Sequence, residues 1–124
     1  AIANIPVEMD QDALYDPVNY VMSAGGKRLR PVMTLMACNL FRDEIDLAVI
    51  PAVGMEIFHN FTLVHDDIMD RAELRRGSPT VHMKWGVNQA ILSGDVMALT
   101  ALSPISRNPK LITATRAFVM IPFP

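Results

Sequence analysis

The sequence predicts an all-α fold in a single domain, residues 1–124. Successive apolar stretches have the length and composition of helices, and no stretch alternates apolar and polar residues over a useful strand length. The length is consistent with a single domain, because 124 residues, 51% of them hydrophobic, can bury one core but not two. We therefore expect several helices around one core, without an internal repeat.

The first two helices are predicted from proline and glycine positions. Asp16 followed by Pro17 is typical of an N-cap and first helical residue, and Gly25–Gly26 would end that helix about two turns later. From Pro31 an apolar stretch predicts a second helix, which stops at the acidic residues of 43–46. Its apolar composition predicts that this second helix is buried.

The longest predicted helix opens at Pro51 and runs toward Asp70, with apolar side chains on most of its circumference. A turn follows, after which Ser78 would cap a short helix ending at Trp85. Another helix is predicted from Asn88 to about Leu102.

Residues 100–124 differ from the rest of the chain. They contain no acidic side chain and no glycine, but four of the nine prolines. Because proline interrupts helices, we expect this segment to be irregular, or to join pieces of sequence that are not contiguous.

Composition excludes some functions and indicates a compartment. With 11 basic and 13 acidic side chains, the net charge of −2 provides no general basic surface for nucleic acid. No uninterrupted apolar run reaches the roughly 18 residues of a membrane span. The single cysteine, Cys38, cannot form an internal disulfide and has apolar neighbours, which indicates a buried thiol and a cytoplasmic protein.

Three aspartates, Asp66, Asp67 and Asp70, lie where the longest helix is predicted to end. Negative carboxylates are unfavourable at the negative pole of a helix, so folding alone does not explain why they occur there. Asp66 and Asp70 are four residues apart, about 40° around a helix axis, which suits a shared cation. Mg²⁺ prefers such oxygen ligands together with phosphate and water. The alternative is a solvated acidic helix end.

Two histidines lie on the same predicted helix. His59 is seven residues before Asp66 and therefore shares its face, which favours contact with a ligand, although a lone histidine on an apolar helix is often a satisfied core residue. His65 points about 100° away from Asp66 and is interpreted as structural.

Two basic clusters accompany the aspartates. Lys27, Arg28 and Arg30 crowd a predicted helix start, where cations are unfavourable unless an anion bridges them to the backbone amides. The alternative is a basic, solvent-facing loop. Arg75 and Arg76 follow the aspartates closely. Two cationic loops beside one acidic helix end predict a site for two polyanionic groups, one of them bridged by metal.

These motifs resemble a known family. GlyGlyLysArgLeuArgPro, then HisAsnPheThrLeuValHisAspAspIleMetAsp, then ArgArgGly occur in the order typical of the trans-isoprenyl diphosphate synthases, or polyprenyl synthetases. The resemblance runs from about Tyr15 to Asp95 and implies an all-α helical bundle of the isoprenoid synthase type, usually a homodimer. It also implies a Mg²⁺-dependent prenyltransferase that condenses an allylic diphosphate with isopentenyl diphosphate.

The resemblance assigns roles to individual residues. Asp66 and Asp70 would be catalytic, holding Mg²⁺ against the allylic diphosphate, with Asp67 as a supporting metal ligand and Arg75 contacting the same diphosphate. The diphosphate of isopentenyl diphosphate would be bound by four basic side chains: Lys27, Arg30, His59 and Arg76.

Product length would depend on the residues beneath the aspartates. Thr62, one turn below Asp66, leaves room, whereas Phe61 limits it. We therefore expect a product in the farnesyl or geranylgeranyl diphosphate range.

Family members carry a second aspartate-rich motif and further lysines that this sequence lacks. We therefore expect the chain to be the N-terminal part of such an enzyme. Two alternatives remain: a catalytically silent truncated subunit that binds prenyl diphosphate or a full-length synthase partner, and a purely structural helical domain.

Overall fold

Helices make up nearly all of the regular structure. The computed structural model describes residues 11–106, and within them the predicted all-α class is confirmed. A two-stranded antiparallel hairpin joins the third and fourth helices. The elements are α1 (Gln11–Ser23), α2 (Leu29–Asn39), α3 (Asp46–Met69), β1 (Leu74–Arg75), β2 (Ser78–Pro79), α4 (Val81–Trp85) and α5 (Val87–Ser106).

The core lies mainly between α3 and α5, which have the most extensive contact of any two helices. Helices α1 and α4 also pack against α5. Its centre is formed by Val64 of α3, Val81 of α4, and Ala90 and Met97 of α5. Helix α2 packs on α3 away from this cluster. Helix α3 is therefore the central element, and it carries the aspartates at its C-terminal end.

Helix α1 begins at Gln11, so the prediction that Asp16 caps it is wrong. Pro17 lies inside the helix, where it cannot donate to the carbonyl of Ala13. The side-chain amide of Gln89 on α5 donates to that carbonyl instead, and Pro17 itself is fully buried. The packing of α5 thus compensates for the proline.

Helix α3 begins at Asp46, five residues before its predicted start at Pro51. The acidic side chain of Asp46 in the first turn complements the positive pole of the helix. The backbone N–H of Ala48 also donates to the carbonyl of Ile45 at 2.8 Å. The helix therefore forms upstream of its proline and contains it.

The prediction that the second helix is buried is wrong for the described part of the chain. Helix α2 starts two residues before Pro31. In the described part of the chain, residues 11–106, none of its side chains is buried. Met36 is 63% exposed, and Cys38, also predicted to be buried, is only half-buried. The reason is that α3 covers just one side of this apolar helix.

The hairpin replaces the predicted cap of the short helix. Ser78 pairs with Arg75 in the hairpin, and Thr80 is the N-cap residue of α4. The turn at Arg76 and Gly77 has positive φ at both residues, 54° and 80°, as a tight two-residue hairpin turn requires. The Thr80 hydroxyl donates to the carbonyl of Ala72 at 2.7 Å, which ties the start of α4 to the segment between α3 and the hairpin.

Helix α5 continues to Ser106 and includes Pro104, so residues 100–106 are helical rather than irregular. The rest of the segment predicted to be irregular or discontinuous, residues 107–124, lies outside the described residues. By length and composition alone α3 could cross a membrane, a test that the core helix of a soluble protein also passes.

Candidate functional site

The aspartates occupy the C-terminal end of α3, as predicted. Asp70 is the C-cap residue, and its backbone N–H donates to the carbonyl of Asp66 at 2.8 Å. The last turn has no basic residue, so nothing within α3 offsets these charges at its negative pole. The side chains of Asp66 and Asp70 are exposed, one helical turn apart, and available to bind a cation.

Asp67 differs from its two neighbours because it is buried, with 4% of its surface exposed. Arg75 of β1 donates to it through Nε, at 2.9 and 2.8 Å from the two carboxylate oxygens, and through Nη2 at 2.7 Å. This hydrogen bonding raises the pKa of Arg75 above its usual value. The pair fixes the hairpin to the end of α3.

Arg76 connects the hairpin to the glycine loop, residues 24–28 between α1 and α2. Its guanidinium donates to the carbonyl of Gly25, and a Cβ atom built on Gly26 would lie 2.9 Å from its Nη1 atom. Gly26 has a φ of 150°, which glycine adopts readily. The two cationic segments predicted to lie beside the acidic helix end are therefore in direct contact with each other.

The three cations at the end of the glycine loop and the start of α2 differ in their contacts. Arg28, the N-cap residue of α2, donates to the carboxylate of Glu56 and, at 2.9 Å, to the carbonyl of Met22. Within residues 11–106, the side chains of Lys27 and Arg30 form no hydrogen bond or ion pair. The structure thus leaves the two outer cations available to an anion and uses the middle one internally.

His59 lies close to Arg30, Arg75 and Arg76. Burial is the main reason that its pKa falls below 6.5, and the nearby charge of Arg30 lowers it further. Arg76 and Arg75 act in the same direction, whereas Glu56 opposes them. His59 is therefore neutral at pH 7 and can donate one hydrogen bond and accept another.

His65 lies in the interface between α3 and α5, in agreement with its structural interpretation. Its ring packs edge-on against Phe61, with centroids 4.8 Å apart, and its Nε2 lies 3.4 Å from the carbonyl of Ile91. Gly94 of α5 faces the ring so closely that a Cβ there would lie 2.4 Å from Nε2.

Two polar residues of α3 were missed by the sequence reasoning. Glu56 and Asn60 are 7% and 1% exposed, and Asn60 donates to the Glu56 carbonyl at 2.8 Å and carboxylate at 3.3 Å. A signal was available, because Glu56 is the only Asp, Glu, Lys or Arg in the apolar stretch 47–65 of the sequence, one turn before His59.

The residues fit a magnesium ion that is shared with a substrate. No group of three His, Cys, Asp or Glu side chains within the described residues could enclose a metal, and Asp67 is engaged by Arg75. Within residues 11–106, the exposed carboxylates of Asp66 and Asp70 form no ion pair. Mg²⁺ is usually held by one or two carboxylates, with phosphate oxygens and water completing its shell.

Comparison with known proteins identifies the family. A family model described as Polyprenyl synthetase matches residues 11–121. The chain belongs to the polyprenyl synthetase family. This polyprenyl synthetase chain is 44% identical over 108 residues to the geranylgeranyl diphosphate synthase of Methanosarcina mazei, covering 85% of this chain and 33% of that protein.

Two further similar proteins are also named as geranylgeranyl diphosphate or pyrophosphate synthases. The geranylgeranyl diphosphate synthase of Saccharolobus solfataricus is 48% identical over 87 residues, which are 70% of this polyprenyl synthetase chain and 26% of that protein. The crystal structure of geranylgeranyl pyrophosphate synthetase from Pyrococcus horikoshii superposes with a TM-score of 0.82 and 41% identity, covering 90% of this chain and 36% of that one. The chain spans about a third of the length of the curated relatives it matches.

Proposed function

We propose that this chain is the part of a prenyltransferase that binds both diphosphate substrates, an allylic diphosphate and isopentenyl diphosphate. The observation that carries the proposal is the division of charge around α3. Within residues 11–106, Asp66 and Asp70 at its C-terminal end form no ion pair, and neither do Lys27 before α2 and Arg30 in its first turn; Arg30 is close enough to His59 to lower its pKa. Such a site suits one metal-bridged and one cation-bound diphosphate.

In this proposal the allylic diphosphate binds at the end of α3. Asp66 and Asp70 would hold Mg²⁺, which supplies Lewis-acid stabilisation of the departing diphosphate. Arg75, itself held by Asp67, would add positive charge to the same group. Asp67 would therefore support the metal site through Arg75.

Isopentenyl diphosphate would bind at the glycine loop. Lys27, Arg30 and Arg76 would neutralise its diphosphate, and His59, neutral at pH 7, would donate a hydrogen bond to it. When the allylic carbon–oxygen bond breaks, the double bond of isopentenyl diphosphate attacks the allylic cation and forms the new carbon–carbon bond. A proton is then lost, and the released diphosphate is a base that could accept it.

We further propose a product in the farnesyl to geranylgeranyl range. Support comes from the relatives named geranylgeranyl diphosphate synthases and from Phe61, which lies five residues before Asp66. The names of these relatives also favour a synthase over a silent truncated subunit. Assembly as a homodimer and a cytoplasmic location remain proposals from the family resemblance and from the lone cysteine.

Calorimetry with geranyl diphosphate tests the metal site in the full-length protein. We expect binding heat with Mg²⁺, none after EDTA treatment, and loss of the Mg²⁺-dependent heat in Asp66→Ala. Asp16→Ala is the matched control, because Asp16 is an exposed aspartate on α1. Normal Mg²⁺-dependent binding by Asp66→Ala would contradict the proposed site, and failure to incorporate labelled isopentenyl diphosphate would favour the silent subunit.

A further inference from the structure

The glycine loop is attached to α3 through its middle cation. Arg28 has a left-handed backbone, with φ 50° and ψ 32°, which is unfavourable for a residue that carries a Cβ. Its charge also lies at the positive pole of α2. Nothing in these local features favours arginine, so the reason for the residue lies in the contacts of its side chain.

Those contacts join three elements. One guanidinium nitrogen of Arg28 donates to the carboxylate of Glu56 on α3, and the other donates to the carbonyl of Met22 near the end of α1. Arg28 thus links the helices on either side of the glycine loop to α3. The loop cannot shift along α3 without breaking this ion pair.

Glu56 is held in place from the other side. It is 7% exposed, and its carboxylate also accepts a hydrogen bond from Asn60, which is 1% exposed. A buried carboxylate needs such partners, and removing one leaves a charge without compensation. The geometry of the pair is therefore rigid, unlike that of a surface ion pair.

The attachment affects the two cations that flank Arg28 in the sequence. Lys27 precedes Arg28 directly and Arg30 follows two residues later, so the backbone fixed at Arg28 determines where both side chains begin. Glu56 is also ten residues before Asp66 on the same helix, about 15 Å along its axis. One rigid helix therefore carries both the loop anchor and the aspartates.

We propose that Glu56, acting through Arg28, is a positioning residue for the isopentenyl diphosphate site. It fixes the positions of Lys27 and Arg30 relative to α3 without touching the substrate. This inference rests on the proposed function, because it assumes that the glycine loop binds that diphosphate.

The test is steady-state kinetics of full-length Glu56→Gln with both substrates varied. We expect the KM for isopentenyl diphosphate to rise roughly 10-fold or more, since a charge-assisted contact is lost. The Kd of the allylic diphosphate with Mg²⁺ should stay within about twofold, because the aspartates are unchanged. Glu44→Gln, in an exposed loop, is the matched control and should behave as wild type.

A double-mutant cycle separates positioning from a structural effect. If Glu56 acts through Arg28, Arg28→Gln/Glu56→Gln should raise this KM no more than the more severe single variant. A lower kcat with an unchanged KM, an equal rise in both KM values, or additive effects would overturn the inference. If Glu56→Gln does not fold, Arg28→Lys is measured instead, and the same rise in the KM for isopentenyl diphosphate is expected. Failure of the proposed function would be distinct, because wild type itself would not consume isopentenyl diphosphate.

Discussion

Asp67 and Arg75 form a hydrogen-bonded ion pair that joins the end of α3 to the hairpin, with three nitrogen–oxygen distances of 2.7 to 2.9 Å. Two consecutive aspartates thus have different roles, since Asp66 is exposed and Asp67 is buried. The hairpin holds Arg76 next in sequence, so the pair also determines where Arg76 meets the glycine loop.

Replacing Arg75 with lysine should destabilise the fold. Lysine keeps the charge but cannot form two parallel hydrogen bonds with a carboxylate. We expect a loss of about 1 to 2 kcal/mol in the free energy of unfolding, allowing for the partial exposure of Arg75. Urea denaturation measures it, with Arg71→Lys as the control because Arg71 is exposed. Equal stability of the two variants would contradict the structural role of the pair.

His59 should make stability depend on pH. Its pKa is below 6.5 in the folded protein, mainly through burial, whereas the unfolded chain takes up a proton near 6.5. Between the two pKa values the unfolded state binds more protons, so stability falls as pH falls through this window and is unaffected above it. His59→Gln should remove this component.

NMR titration of the histidine Cε1 protons measures the pKa directly, and thermal unfolding on both sides of pH 6.5 measures the consequence. A folded-state pKa at or above 6.5 for His59 would show that the surrounding arginines and burial do not govern its charge.

Gly26→Ala should weaken isopentenyl diphosphate binding, because the new methyl group would displace the Arg76 guanidinium from the glycine loop. Gly25→Ala is the control for backbone strain: its φ of 75° is also unfavourable for alanine, by about 1 to 2 kcal/mol, but its Cβ would meet no atom within 4 Å. Both should lower the melting temperature, and only Gly26→Ala should raise the KM. A KM change shared by both would indicate loop strain instead.

Features that depend on local chemistry were predictable from sequence. The end of the first helix before Gly25–Gly26, the turn near Gly77 and the aspartates at the end of α3 follow from backbone freedom and charge placement within a few residues. The family motifs lie in these same short segments, so the sequence alone carries the resemblance.

Features that depend on distant partners were not predictable. Pro17 is tolerated inside α1 because the side chain of Gln89, 76 residues after Ala13, donates to the Ala13 carbonyl that Pro17 leaves without a backbone donor. The exposure of α2 depends on which elements cover it, and an apolar pattern does not specify them. The sequence marks Glu56 as a charge in an apolar stretch, but it does not specify its partner, because Arg28 lies 28 residues earlier in a different element.

Phe61→Ala should lengthen the product, because removing the ring opens space five residues below Asp66. The ring packs edge-on against Phe58 at 5.4 Å as well as against His65, so its position is fixed by neighbours on α3. Chromatography of the dephosphorylated products measures the change, with Phe41→Ala as control since Phe41 is 86% exposed in the loop after α2. An unchanged distribution would show that Phe61 does not limit chain growth.

Gly94→Ala should destabilise the protein, although alanine normally favours a helix over glycine by up to about 1 kcal/mol. Gly94 is buried in α5 against the His65 ring, and the added Cβ would lie 2.4 Å from Nε2, so α5 must move or the ring must leave its contact with Phe61. Such overpacking typically costs about 1 to 3 kcal/mol.

The double variant His65→Ala/Gly94→Ala isolates the cause of that loss. Once the ring is absent, the methyl group at residue 94 meets no obstacle, so adding Gly94→Ala to His65→Ala should be neutral or stabilising. Thermal unfolding of the two single variants and the double variant closes the cycle. If Gly94→Ala alone raised the melting temperature, the close approach of α3 and α5 at this point would be refuted, since only helix propensity would then be acting.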